Sequence, residues 1–264
     1  VLIGACNGGF AQMAGINMGW KIPFVNINVG PAVSLKDTEG MVITDGEEVV
    51  YPTADVKNLK LDLGACQISI VKSEDDDIHV TSEKKMKIQT GVKNGELKVK
   101  SESTIWYGGT RKVILALPAD MSFDEVKFDM GAGACVSRVP FSCDKFNLDV
   151  GAGSVDISDI NAKDARINIG AGDAAFSKAF FEDANIDVGM GNCSLTGDIT
   201  DDLNLDVSMG SVSMILESSQ ADHKCNGDTA MGNIKFGKST TSNDSGKQVD
   251  KDVDSQYNVD CSMG

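Results

Sequence analysis

Eight polar side chains recur at one place in a repeated string: Asp62, Asp129, Asp149, Asn168, Asp187, Asp206, Asp228 and Asp260. Two residues before them stand Lys60, Lys127, Asn147, Arg166, Asn185, Asn204, Asn226 and Asn258. Carboxylates in such a series could do three kinds of chemistry. They could accept hydrogen bonds from backbone N–H groups at the turn that follows, or from the Asn beside them. They could bridge Ca²⁺ near Asp187 and Asp206, since hard cations take several oxygen ligands and Asn adds a carbonyl. They could serve as the acid and base of a polysaccharide-cleaving enzyme, which needs two unlike carboxyl groups converging in one cleft. A residue repeated on every copy is most simply part of the repeat, and Arg166 is the only Arg near the series. The Gly-Gly-x-Gly-x-Asp spacing of calcium-binding β-rolls is absent. The expectation is therefore no catalytic residue, no cofactor and no intrinsic metal site, with each Asp bonded to the turn or to its Asn.

The other reactive residues are few. His79 and His223 are the only histidines, and none of the seven Cys forms a C-x-x-C pair, so a zinc site has little material. Most of the thiols fall at inward positions and read as small core hydrophobes. Met190, Met209, Met231 and Met263 take the place held elsewhere by Ala65, Ala132, Ala152 and Ala171. That switch reads as core filling, with a thioether stack for a soft metal as the alternative.

The elements that must position these residues follow from the period. Phe128-Asp129-Met130-Gly131-Ala132-Gly133, Leu148-Asp149-Val150-Gly151-Ala152-Gly153 and Ile167-Asn168-Ile169-Gly170-Ala171-Gly172 share one pattern. Ile186 to Gly191, Leu205 to Gly210 and Gly227 to Gly232 repeat it. The final Gly falls at 133, 153, 172, 191, 210 and 232, a spacing of 20, 19, 19, 19 and 22. Leu61 to Cys66 is an earlier degenerate copy and Val259 to Gly264 a late one. Apolar and polar residues alternate on both sides of the small-residue turn, which predicts two half-buried strands per copy. One copy cannot bury its apolar face alone, so copies must stack. The sequence thus predicts an all-β, single-stranded, right-handed β-solenoid of about 19-residue coils. One inward column is Cys135, Val155, Ala174, Cys193, Val212 and Ile234. The next is Ser137, Ile157, Phe176, Leu195, Met214 and Phe236, while Ser154, Asp173 and Ser211 face outward. Cys135 and Cys193 lie three coils apart, roughly 14 Å, beyond disulfide reach.

Three segments break the period. Residues 71–125 read as an antiparallel insertion, with Lys93-Asn94-Gly95-Glu96 as a hairpin turn and Val113 to Pro118 returning to the stack. Together with residues 24–60 it is expected to cover one open end of the solenoid domain, which spans 24–264. Residues 237–256 are polar and breaker-rich and read as an exposed loop. Residues 1–23 form an apolar stub, read as the end of a membrane anchor, although Cys6 after Leu2-Ile3-Gly4-Ala5 also suggests an acylated lipoprotein cysteine.

The repeated strings, introduced by Ile114-Leu115-Ala116-Leu117-Pro118 and then Asp124 to Asp129, resemble the bacterial putative adhesin family with β-strand repeats. That is a domain family of unknown function, common in Firmicutes and related to autotransporter adhesin head domains. The resemblance covers roughly residues 55–264. It implies the solenoid fold, an N-terminal membrane segment in many members, and no defined catalytic residues. A formal net charge of −15 offers no basic footprint for nucleic acid, and anionic membrane surfaces are poor partners for the same reason. The expected role is a non-catalytic interaction module on the extracellular face of the envelope, meeting a protein or a cell-wall glycan. The alternatives are an envelope-stress sensor and, third, a polysaccharide-active β-helix enzyme.

Overall fold

Alternating burial across every repeat, with Leu59, Leu61 and Leu63 inside and Lys60 and Asp62 outside, commits the chain to strands. The structure is a computed structural model. It describes residues 2–5, 41–84, 86–101, 111–218, 223–229, 233–236, 239–242 and 255–262. In chain order the strands begin with β1 (Leu2–Ala5), β2 (Val42–Asp45), β3 (Val49–Pro52), β4 (Asn58–Leu63) and β5 (Gln67–Lys72). Next come β6 (Asp77–Ser82), β7 (Lys87–Lys93), β8 (Glu96–Ser101), β9 (Lys112–Leu117), β10 (Met121–Met130) and β11 (Ala134–Ser137). The middle of the chain is β12 (Phe141–Val150), β13 (Ser154–Ile169), β14 (Asp173–Val188), β15 (Asn192–Ile199), β16 (Leu203–Val207) and β17 (Ser211–Leu216). The last are β18 (Lys224–Thr229), β19 (Asn233–Phe236), β20 (Ser239–Ser242) and β21 (Gln256–Cys261). One short 3₁₀ turn, Thr53–Asp55, is the single helical element among the described residues.

Successive repeats pair in parallel, residue on equivalent residue. Leu148 lies beside Ile167, Ile167 beside Ile186, and Ile186 beside Leu205. Across the corner Cys135, Val155, Ala174, Cys193 and Val212 make a second continuous row. All five are buried, whereas Ser154, Asp173 and Ser211 are exposed or half-exposed, as the alternation requires. Some large residues inside sit against small ones in the next layer. Phe146 sits over Ala165 and Ala162 under Phe181, and the rings of Phe128 and Phe146 meet edge to face at 5.8 Å. Cys66, Cys135, Cys143, Cys193 and Cys225 are free and buried. Burial pushes the Cys135, Cys143 and Cys193 thiols up to about 12, so they are inert as nucleophiles at neutral pH. Cys261 departs from the expectation that the thiols are simple core hydrophobes, because it is disulfide-bonded.

The corner explains the glycines. The Ala171 N–H donates to Gly151 O at 2.7 Å and the Asp173 N–H to Gly153 O at 3.0 Å, so successive corners stack backbone on backbone. A Cβ on Gly172 would land on the Gly153 carbonyl oxygen. Close approach, more than backbone freedom, is what requires glycine there. The residue before it points away. Met190 is 62% and Met209 49% exposed, so the switch from Ala to Met is not core filling. Met231 and Met263 lie outside the described residues.

Both ends of the stack depart from chain order. The antiparallel reading of residues 71–125 holds for β6 and β7, and the Asn94-Gly95 turn has the two positive φ values, 52° and 80°, of a tight hairpin. β8 and β9 are mixed: antiparallel to β7 and β6 on one side and parallel to the stack on the other, with β9 rejoining the stack as expected. β8 pairs in parallel with β4, β9 pairs in parallel with β5, and residues 121–125 already belong to β10 in the stack. A further layer, β8 with β9, therefore lies outside the β4/β5 layer. β7 and β2 then extend one face antiparallel, and β6 and β3 the other. At the opposite end β21 does not follow β18. It inserts between β16 and β18, parallel to both. Tyr257, fully buried, holds it there: its hydroxyl donates to Ile199 O, and its ring stacks on buried His223 at 4.1 Å.

The terminal segments are more structured than expected. Ser239–Ser242, inside the stretch read as an exposed loop, is a strand paired with β19. Leu2–Ala5, inside the stretch read as the end of a membrane anchor, pairs antiparallel with β17 and β19. Cys6 and the remainder of that stub lie outside the described residues. Among the described residues no helix is long and apolar enough to cross a membrane.

Three substitutions test the corner and the core. Gly172→Ala should cost about 3 kcal/mol in denaturant unfolding, because backbone must move to admit one methyl group, whereas Ala171→Met should be neutral. The Ser137 hydroxyl is fully buried, between Ile70 and Ile157, with no hydrogen-bond partner. Ser137→Ala should therefore stabilise by about 1 kcal/mol in the same assay.

Candidate functional site

The parallel register brings the repeated polar residues into two straight rows on one face. In spatial order the first is Lys100, Asp62, Asp129, Asp149, Asn168, Asp187, Asp206, Asp260 and Asp228. Beside it run Lys98, Lys60, Lys127, Asn147, Arg166, Asn185, Asn204, Asn258 and Asn226. The out-of-order β21 places Asp260 between Asp206 and Asp228, an arrangement the chain order did not suggest. A shallow groove of about 650 Å³ follows the first row past Asp62, Asp129, Asp149, Asn168, Asp187 and Asp206, with the corner residues Gly64 to Ser208 as its other wall.

Lys98 and Lys100 had no place in the sequence-derived columns. Leu97-Lys98-Val99-Lys100-Ser101 keeps the apolar alternation of Leu59-Lys60-Leu61-Asp62-Leu63, but Lys replaces Asp and no Gly corner follows. The alternation alone was the available signal. Their position matters, because Lys100 Nζ lies 3.2 Å from Asp62 and Lys127 Nζ 3.6 Å from Asp129, so cations gather at one end of the face. Arg166, exposed in mid-row, lies 3.6 Å from Asp164 on its own strand. Asp187, Asp206, Asp260 and Asp228 have only Asn beside them.

The hydrogen bonding differs from the expectation. Corner N–H groups do not reach the Asp row, because carbonyls of the adjoining layer accept them: Gly170 donates to Val150 O and Gly189 to Ile169 O, both at 2.8 Å. Four of the Asn side chains bond along their own row instead, while Asn147 donates to Glu125. Asn226 donates to Asn258, Asn258 to Asn204 and Asn204 to Asn185, at 2.9, 2.9 and 3.1 Å. The one bond of this kind within the Asp row is Asn168 to Asp149, 2.7 Å, where an amide replaces a carboxylate. Elsewhere like charges stand about one strand spacing apart, ~4.8 Å. Desolvation between the strands raises the Asp206 carboxyl above its ordinary value, and the neighbouring Asp187 raises it further. Asp260 is raised by desolvation and then by Asp206 and Asp228, and Asp129 by desolvation, with Lys127 opposing and Asp149 adding.

This geometry supplies a long, regular, hydrogen-bonding and anionic strip. It does not converge two unlike carboxyl groups on one point, as glycoside cleavage requires. Among the described residues no three His, Cys, Asp or Glu side chains are grouped to hold a metal ion.

The family model described as Toastrack DUF4097 matches residues 56–197 and again 119–264. The chain belongs to the toastrack family. The two matches overlap over residues 119–197. This is the family of β-strand repeats that the strings resemble. Among solved structures the toastrack chain is similar to a putative cell adhesion protein from Clostridium sporogenes, at 13% identity over 83% of this chain and 97% of that one, with a TM-score of 0.32. It is also similar to a putative adhesin from Bacteroides fragilis, at 11% identity over 88% and 100% of the two chains, with a TM-score of 0.37. A putative adhesin from Parabacteroides merdae is 14% identical over 69% and 94%, with a TM-score of 0.26. No curated protein matches the chain.

The raised carboxyls give a signed prediction. A carboxyl whose folded pKa is raised contributes stability that is full below its unfolded pKa and is lost as pH rises through the folded one. Asp206→Asn should therefore raise Tm at pH 7, where Asp187 and Asp206 repel. The advantage should vanish near about pH 3, where the raised Asp206 carboxyl is itself protonated. An equal gain at both pH values would show that repulsion is not its source.

Proposed function

We propose that the toastrack stack is a right-handed solenoid that works as a non-catalytic interaction module on the outer face of the cell envelope. The observation that carries this is the in-register strip: nine parallel strands present one uninterrupted face of ionised and amide side chains, with a groove along it. A flat repeating face suits an extended partner that makes the same contact at every layer. The partner is a protein or cell-wall glycan that brings positive charge or hydrogen-bond donors to the end holding Asp187, Asp206 and Asp260. Net charge of −15 steers such partners in and keeps nucleic acid away.

The test is retention of purified cell-wall sacculi and solubilised envelope proteins on beads carrying the full chain. Retention should weaken in about 0.5 M salt, where screening shortens to a few ångströms. It should fall in Asp187→Lys/Asp206→Lys, whose melting is checked in parallel. Retention indifferent to the double variant would remove the strip from the interaction. Release of soluble sugars from the sacculi would make the chain an enzyme and end the proposal.

A further inference from the structure

His79 stands at the middle of β6, in the cap that closes the cationic end of the stack. Across the sheet its neighbours are Val50 on β3 and Ala116 on β9, with Val71 on β5 beyond, a row with no other charge. Both ring nitrogens nevertheless meet carboxylates. Nδ1 is 3.0 Å from Glu48 Oε1 and Nε2 is 2.8 Å from Asp75 Oδ1. An ionised carboxylate can only accept, so both contacts are hydrogen bonds only when both nitrogens carry a proton, as in the imidazolium.

The two carboxylates are not equivalent. Asp75, in the turn between β5 and β6, also accepts the Asp77 N–H at 3.0 Å and the Ser73 hydroxyl at 3.1 Å, so it is fixed whatever the histidine does. Glu48 immediately precedes β3, is half-exposed and has His79 as its ionic partner. β3 is four residues long, and β6 is the strand it pairs with among the described residues. Loss of one imidazole proton leaves Nε2–H on the fixed Asp75 and turns the Nδ1 lone pair toward Glu48.

We propose that His79 is a pH-operated latch that ties the edge strand β3 to the cap through Glu48 and releases it when the ring becomes neutral. The charged groups that act on the ring are Asp75 and Glu48, while β9 and β5 bring neutral Ala116 and Val71. The hydrogen bond to Asp75 is the largest cause holding the imidazolium above its ordinary pKa, against a smaller opposing desolvation, with Glu48 adding to it. The same bond holds Asp75 below the ordinary carboxyl range. A raised histidine contributes stability that is full below its unfolded pKa and is lost as pH rises through the folded one. A depressed carboxyl contributes stability present above its unfolded pKa and lost as pH falls through the folded one. The latch is therefore closed at mildly acidic pH and opens as pH rises through the raised imidazole pKa. Release would uncover the outer edge of β6, whose Ile78 and Val80 are fully buried in the closed form.

The full chain has only two histidines, so the imidazole resonances can be titrated and assigned by NMR with His79→Gln as the reference. His79 should titrate above the ordinary histidine value. Hydrogen-exchange protection at residues 49–52, corrected for intrinsic rate, should drop across that titration by about tenfold for each unit by which the pKa is raised. Protection at 164–169 and 183–188 should not change. In His79→Gln, residues 49–52 should be loosened equally at pH 6 and pH 9, and Glu48→Gln should lower the His79 pKa. Titration at or below the ordinary value, steady protection at 49–52, or the same step in His79→Gln would each overturn the latch.

Discussion

The constraint on which the rest depends is the contact between successive corners. Strands two layers apart never touch, so a layer is stable only if its neighbours come within one strand spacing along its whole length, corner included. At Gly172 the distance leaves no room for a methyl group, and at Ala171 the side chain must leave for solvent. Once the corners stack, the register of both flanking strands is set. Inward residues then fall on inward residues, and every outward residue joins a row. The apolar rows inside and the Asp and Asn rows outside are two results of one backbone condition.

The rows carry an electrostatic cost. Amides tolerate repetition because each donates to the next, as Asn204, Asn258 and Asn226 do. Carboxylates have no proton to donate and meet their own kind. Near the cap, lysines at positions 98, 100, 60 and 127 offset them. Towards the other end nothing in the rows does, and the unbalanced charge remains directed at whatever approaches that face. A structure selected only for stability would place Asn throughout, as it does at Asn168.

Much of the architecture was legible in the sequence because a repeat advertises its own register. Val155 and Cys193 could be placed in one buried row without coordinates, and so could Asp149 beside Asn168. What could not be read was anything that depends on the order of layers. β8 was hidden because Lys100 and Ser101 had lost the residues that mark the corner, whereas the return of Val113 to Pro118 to the stack could be read. β21 matches β16 and β18 equally well, so the sequence could not say between which strands it sits. The exposure of Met190 and Met209 was missed for another reason: a hydrophobic residue in a strong pattern reads as core, although at this corner the side chain has nowhere to go but outward. His79 left no signal, since its two carboxylates come from segments 31 and 4 residues away with no shared motif.

The position of β21 has a consequence for the birth of the molecule. On a ribosome the chain emerges from its N-terminus, and every layer from β10 to β17 can dock on the one made before it, close behind synthesis. β18 then appears with no finished neighbour of its own. Its Asn226 and Asp228 can take the same register on Asn204 and Asp206 that β21 finally holds, although Gly227 brings no side chain to the inward place that Val259 fills against Leu205, so a premature dock would be in register and still wrong. Completion requires that contact to open and admit the last strand. Tyr257 and His223 are then the bolt that makes the late arrangement the final one.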